Sequence, residues 1–135
     1  MSEVLKRIVD RIASVSPRWR AATREATTDM PAPRTATHTL RAGLADGVET
    51  IYEGHLLHHD ESRVLKADTS DAMKLLVGDY CYAAGLTDIA DTGDVEAVRS
   101  LAALIADVSV LAAGTEHRDH ATLERRWDVA LKELT

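Results

Sequence analysis

An all-α fold, a bundle of about six helices, is what this 135-residue sequence predicts, and three observations predict it. Alanine and leucine, the strongest helix formers, are frequent, while phenylalanine is absent and aromatic residues make up 4%. Apolar residues recur at spacings of three and four, with no strand-like alternation and no internal repeat. Residues that cap or break helices separate the periodic segments.

The elements follow in order. Ser2 caps a first helix through about Val15, with Val4, Leu5, Ile8, Ile12 and Val15 on one face. Ser16-Pro17 starts a short polar second helix, about Arg18 to Thr27, because proline suits the first helical position. Asp29 to Thr37, with two prolines, is a loop. A long third helix runs from about His38 to Asp60, its repeating face made of Leu40, Leu44, Val48, Ile51, His55 and His58. Thr69 or Ser70 caps a fourth helix through about Ala90, which Thr92-Gly93 ends. Asp94 caps a fifth that closes at Gly114. The last, about His117 to Leu134, turns Leu123, Trp127, Ala130, Leu131 and Leu134 inward. Short connections make most neighbours antiparallel. On the fifth helix, Leu101, Leu104, Ile105, Val108, Leu111 and Ala112 cover more than a narrow stripe, so an oligomer or a partner is expected.

The bulk numbers exclude some classes. The length fits one domain, 1–135, with a core that needs no disulfide. A net charge of −6 argues against non-specific nucleic-acid binding. The single cysteine, Cys81, cannot form an internal disulfide, which fits a reducing, cytoplasmic setting. No secretory signal is visible. The most apolar stretch, Leu101 to Gly114, is interrupted by Asp107 and too short to span a bilayer, so any membrane association is expected to be peripheral at most.

Three motifs stand in a suggestive order. The first is GVETIYEGHLLHHD, Gly47 to Asp60. The second is LLVGDY, Leu75 to Tyr80, and the third is GDVEAVRSLAALIADV, Gly93 to Val108. Together they resemble the front half of trans-prenyl diphosphate synthases, over roughly residues 38–114. In that family a helix ends in L-x-H-D-D, and a later one carries A-G-D-Y. Val48, Glu49, Gly54, Leu56, His58 and Asp60 fall on matching or similar positions. The resemblance implies an isoprenoid-synthase-like N-terminal half.

The family's chemistry needs two aspartate-rich patches that share Mg²⁺ ions with an allylic diphosphate. Its first patch, D-D-x-x-D, reads here as His59, Asp60, Glu61, Ser62 and Arg63. Only Asp60 keeps an aspartate position, while His59 and Arg63 replace carboxylates. The basic loop that follows is echoed only by Arg63-Val64-Leu65-Lys66. The second aspartate patch has no counterpart in this sequence. Alone, the chain is expected neither to hold the metal cluster nor to elongate prenyl chains.

Some long-chain synthases of this family, which make menaquinone side chains, pair a catalytic subunit with a small one lacking the aspartate motifs. The resemblance therefore implies a small non-catalytic subunit of a heteromeric synthase, docked on a catalytic partner that carries the Mg²⁺, with a homodimer possible when alone. The expected contact is Lys74 to Leu111, with Leu76, Gly78, Tyr80, Tyr82, Ala83, Leu101, Leu104 and Val108 as anchors. The same residues equally suit the chain's own core. Small residues at Ala83, Ala84 and Ala90 offer a path for a partner's product.

Other features carry competing readings. His55, His58 and His59 share one helix surface and, with Asp60, suit a transition metal. His59-Asp60 is also the doublet of HD-type metal phosphohydrolases, with His38 and Asp107 as imaginable partners. The bland reading is polar histidines at a helix end that favours cations. Cys81 reads as a buried, inert thiol. His117 to His120 (HRDH) and the Arg18, Trp19, Arg20, Arg24 patch read as solvated faces. Arg125 and Arg126 read as exposed cations flanking a core Trp127. A helical interaction module with no catalytic link is the third possibility.

Overall fold

The computed structural model describes residues 2–25, 32–114 and 120–135. Among them it has six helices: α1 Glu3–Ala13, α2 Pro17–Ala22, α3 Ala45–His59, α4 Asp71–Asp91, α5 Val95–Ala113 and α6 His120–Glu133. The expected all-α bundle is the fold found. The described part of the chain has no strand, only an isolated antiparallel bridge between Thr23 and Leu65.

The predicted caps Ser2, Ser70 and Asp94 act through their side chains, and so does Ser16 ahead of Pro17. Ser2, Ser16, Ser70 and Asp94 accept the backbone N–H of Leu5, Trp19, Met73 and Ala97 respectively. Each satisfies a donor that the first helical turn leaves unpaired. Gly93, at φ +80°, makes the left-handed turn between α4 and α5. The last residues of the expected second helix, most of the first half of the loop Asp29–Thr37, and His117 to Asp119 of the expected last helix lie outside the described residues.

Two helices are shorter than expected: the second, expected through about Thr27, ends at Ala22, with Thr23 extended. The third begins at Ala45 rather than about His38. Arg34 to Thr37 form turns, and Gly43, at φ +82°, reverses the chain just before Leu44. Val15, expected on the inward face of α1, lies beyond its end and is exposed.

The principal surprise is how deeply α3 lies. Every residue from Gly47 to Leu57 is buried, on all sides of the helix. A helix buried all round is the centre of a fold rather than one of its walls. One apolar cluster joins Leu44, Val48, Ile51, Tyr52 and Leu56 to Ile89, Leu101, Leu104, Val108, Leu123, Trp127 and Leu131. A second joins Leu57 to Leu5, Ile8, Ile12, Val64, Leu65, Val77 and Cys81. Helix α1 thus lies along α3, from Asp46, which Arg7 holds at 2.8 Å, to Leu57, while α5 and α6 pack on its other apolar cluster.

Helix α4 runs antiparallel along α3 at very close range. A Cβ at Gly85 would meet the Gly47 carbonyl oxygen at 2.7 Å, and one at Gly54 would meet the Gly78 oxygen at 2.9 Å. Gly47 and Gly54 are seven residues apart, as are Gly78 and Gly85, so the two pairs meet on successive double turns. Backbones packed this closely tolerate no side chain between them.

Candidate functional site

Helix α3 ends where the sequence concentrates its chemistry. Asp60 leaves the helix in an extended conformation, and its Oδ1 accepts the Glu61 N–H at 2.8 Å. Ser62 then builds a tight turn: its Oγ accepts the N–H groups of Val64 and Leu65 at 3.1 and 3.0 Å and donates to Glu53 Oε2 at 2.7 Å. That turn drives Arg63 inward.

Arg63 is buried between two carboxylates that are 0% exposed, Glu49 and Glu53. Its Nε donates to Glu53 Oε1 at 2.8 Å and its Nη1 to Glu49 Oε1. Glu53 also accepts the Arg63 backbone N–H at 3.2 Å. Glu49 accepts the N–H groups of Arg34 and Thr35 at 2.8 and 3.1 Å and the Thr35 hydroxyl at 2.9 Å. Burial pushes the Glu53 carboxyl up, against the opposing pull of Arg63 and Ser62. Burial disfavours the Arg63 cation, yet its two carboxylates outweigh that and hold the guanidinium above its ordinary value. The Tyr52 ring lies under both Arg63 and Arg34, 5.1 and 5.7 Å from the two guanidinium carbons.

A tier of histidines stands beside this cluster. His55 is 2% exposed, stacked on Tyr52 at 5.6 Å between ring centres and edge-on to Trp127 at 5.5 Å. Burial, with its cationic and histidine neighbours, pushes the ring down to about 3, so it is neutral near pH 7. His58 Nε2 lies 3.0 Å from Asp79 Oδ1 on α4, and its ring packs on Tyr82. His120 Nδ1 lies 3.5 Å from Asp60 Oδ2.

Two adjoining clefts open at this end and share Asp60 and Lys74. One, of about 330 Å³, is lined by Leu57, His58, His59, Asp60, Asp71, Lys74 and Leu75. The other, of about 350 Å³, adds Arg24, Glu61, Ser62, Leu65, Lys66 and Ala67. Lys66 is already committed, donating to the Ala21 carbonyl at 2.8 Å. Among the described residues no three His, Cys, Asp or Glu side chains converge as a metal-binding group. The imagined HD partners are engaged elsewhere: Asp107 holds Arg126 at 3.0 Å, and His38 lies against the Thr37 hydroxyl.

No family model, no curated protein and no solved structure matches this chain.

The structure sorts the expected contact residues into two groups. Leu101, Leu104 and Val108 lie in the chain's own core, because the inward stripe of α5 packs on α3 and α6. Gly78 is buried under Leu57 and His58, and Tyr82 packs on Gly54 and His58, so the α3–α4 contact takes both. Ala84 is buried as well and lines no surface path. These residues are therefore closed to a partner of the folded chain. Leu76 and Ala83 are exposed, and Tyr80 is half-buried, edge-on to Trp19.

Within the degenerate aspartate motif, His59 and Asp60 line the clefts, but Arg63 does not. It is a core cation. Sequence reasoning missed its partners Glu49 and Glu53; two acids four residues apart inside an otherwise apolar run were the available signal. Cys81 is buried, as expected, and burial raises its thiol well above the usual range.

Proposed function

We propose that this chain is a small, non-catalytic subunit of a heteromeric trans-prenyl diphosphate synthase. The observation that carries this reading is the fate of the α3 C-terminal end. The position of the family's last motif aspartate holds Arg63, and Arg63 is turned inward onto Glu49 and Glu53. What faces the cleft is a mixture of His58, His59, Asp60, Asp71 and Lys74, two carboxylates among cationic and imidazole groups and a poor set for Mg²⁺, which wants several hard oxygen ligands. The three motifs on which the resemblance rests fall in order on α3, on α4, and over the turn into α5.

The contact surface in this reading is the outer stripe of α4, where Leu75, Leu76, Ala83 and Ala90 are exposed, continued on α5 by Ala102, Ala103 and Ala106. Small side chains there let a partner helix approach closely, and Leu76, 55% exposed, supplies an apolar anchor. The catalytic partner carries the Mg²⁺ and the condensation of isopentenyl diphosphate with an allylic diphosphate. This chain supplies packing and orientation, in the setting of isoprenoid (menaquinone side-chain) synthesis in the cytoplasm.

Co-expression with catalytic prenyl diphosphate synthase subunits tests the reading. A stable complex, with elongation activity that neither chain has alone, is the expected result. Absence of both complex and activity across the candidate subunits removes it.

A further inference from the structure

The N-terminal half of helix α6 is tied to the rest of the fold by ion pairs and ring contacts. Near its start, His120 faces Asp60 at 3.5 Å. Glu124 accepts the Tyr52 hydroxyl at 2.9 Å and Arg34 Nε at 3.1 Å, and Asp128 accepts Arg34 Nη2 at 2.5 Å. Between these ties the Trp127 ring closes over Tyr52 and His55. Two buried polar atoms at this contact, His55 Nδ1 and Trp127 Nε1, have no hydrogen-bond partner among the described residues. The far end of α6 is fastened differently: the Arg41 N–H donates to the Leu134 carbonyl at 2.9 Å, and Arg41 Nη1 donates to that of Glu133 at 2.8 Å. Those backbone carbonyls do not titrate.

We propose that α6 is an acid-released flap, in which protonation of His55 drives the N-terminal half of α6 off α3 while the rest of the fold holds. The groups around His55 set the sign. From α3 it faces Tyr52, His58 and His59; from α6, His120 and Glu124; from the preceding loop, Arg34. Helix α4 brings Asp79, which lies against His58, and α5 sets its Asp107 on Arg126. Among the described residues His55 pairs with one carboxylate, Glu124 at 4.0 Å, and its oxygens already serve Tyr52 and Arg34. A charged ring must reach water, and the Trp127 side is the route. His58 lies against Asp79 and His120 against Asp60, pairs open to water on at least one side and screened by it.

The test uses the full chain with Trp19→Phe, which leaves Trp127 as the only tryptophan. On acidification from about pH 7.5 to about pH 3, Trp127 emission shifts to the red while most far-UV helicity persists. His55→Phe, which fills the same aromatic box and cannot charge, moves that midpoint down by at least about one pH unit. A single shared midpoint for emission and helicity overturns the flap, and so does a midpoint that His55→Phe leaves in place. If His55→Phe does not fold, hydrogen exchange on the unsubstituted chain decides. Between about pH 7 and about pH 4.5, after correction for intrinsic rates, α6 amides lose at least about tenfold more protection than those of α3. Equal loss in the two helices overturns the proposal.

Discussion

Arg63 Nε donates to Glu53 Oε1 at 2.8 Å inside the fold, across a turn that brings together residues ten apart in the chain. With Glu49 on the other side, the guanidinium bridges two carboxylates that are wholly shielded from water. Removing it strands buried charge. Arg63→Met is expected to destabilise the chain by about 3–5 kcal/mol, the usual cost of breaking a buried pair from one side. Urea denaturation at neutral pH measures this. A loss below about 1 kcal/mol, typical of a surface pair, would mean that the cluster is not sealed.

The glycine contacts between α3 and α4 make a second prediction. At Gly85 a methyl group would meet the Gly47 carbonyl oxygen and the Ile51 side chain, so the helices must separate. Gly85→Ala is expected to lower stability by about 1–3 kcal/mol, even though alanine is the better helix former. Gly93 is the contrast: nothing lies within 4 Å of its would-be Cβ, and only its φ of +80° constrains it. Gly93→Asn, which tolerates that region, is expected to be near neutral. Thermal unfolding of both variants tests the pair, and equal losses would sink the packing argument.

His55 gives stability a pH dependence of known sign. Its pKa is about 3 in the folded chain and about 6.5 unfolded, so the unfolded state binds more protons between those values. The contribution is fully present above about pH 6.5 and is lost as pH falls toward 3. At pH 5 the loss is roughly 2 kcal/mol. Urea midpoints at a series of pH values should fall along this line, and His55→Phe should flatten it. An unchanged slope in that variant would assign the acid sensitivity to other groups.

The exposed stripe of α4 separates partner contact from folding. Leu76→Asp and Ala83→Glu lie on the outer surface and are expected to change the chain's own stability by no more than about 0.5 kcal/mol. Capture of a catalytic synthase subunit should fall by at least about tenfold, since a charge would be buried without a partner. Leu104→Asp serves as the opposite control, because Leu104 is in the core and the substitution should unfold the chain. If both surface variants bind like the unsubstituted chain, the α4 stripe is not the contact.

Much of the fold was legible because helix ends are local. Ser2, Ser70 and Asp94 each cap a helix as expected, and the five residues that periodicity turned inward at the last helix are buried, four within α6 and Leu134 just past its end. Local chemistry also gave the helical class, since capping and periodicity act within a turn or two of chain. The α3 start was harder, because the periodic run from Leu40 continues across the bend at Gly43 without a break in pattern.

The sequence by itself determined the helical class, most of the caps and the poverty of carboxylates at the end of α3. Only the tertiary structure decided which residues face a neighbour in the same chain and which face outward. Periodicity marks an apolar face but carries no identity for what covers it. So Gly78, Leu101, Leu104 and Val108, equally suited to a partner or a core, went to the core, while Leu76 and Ala83 stayed outside. The same holds for Arg63. Its charge reads as surface in the sequence, and it lies inside because Glu49 and Glu53, one turn apart on a central helix, form a buried site that a cation must fill.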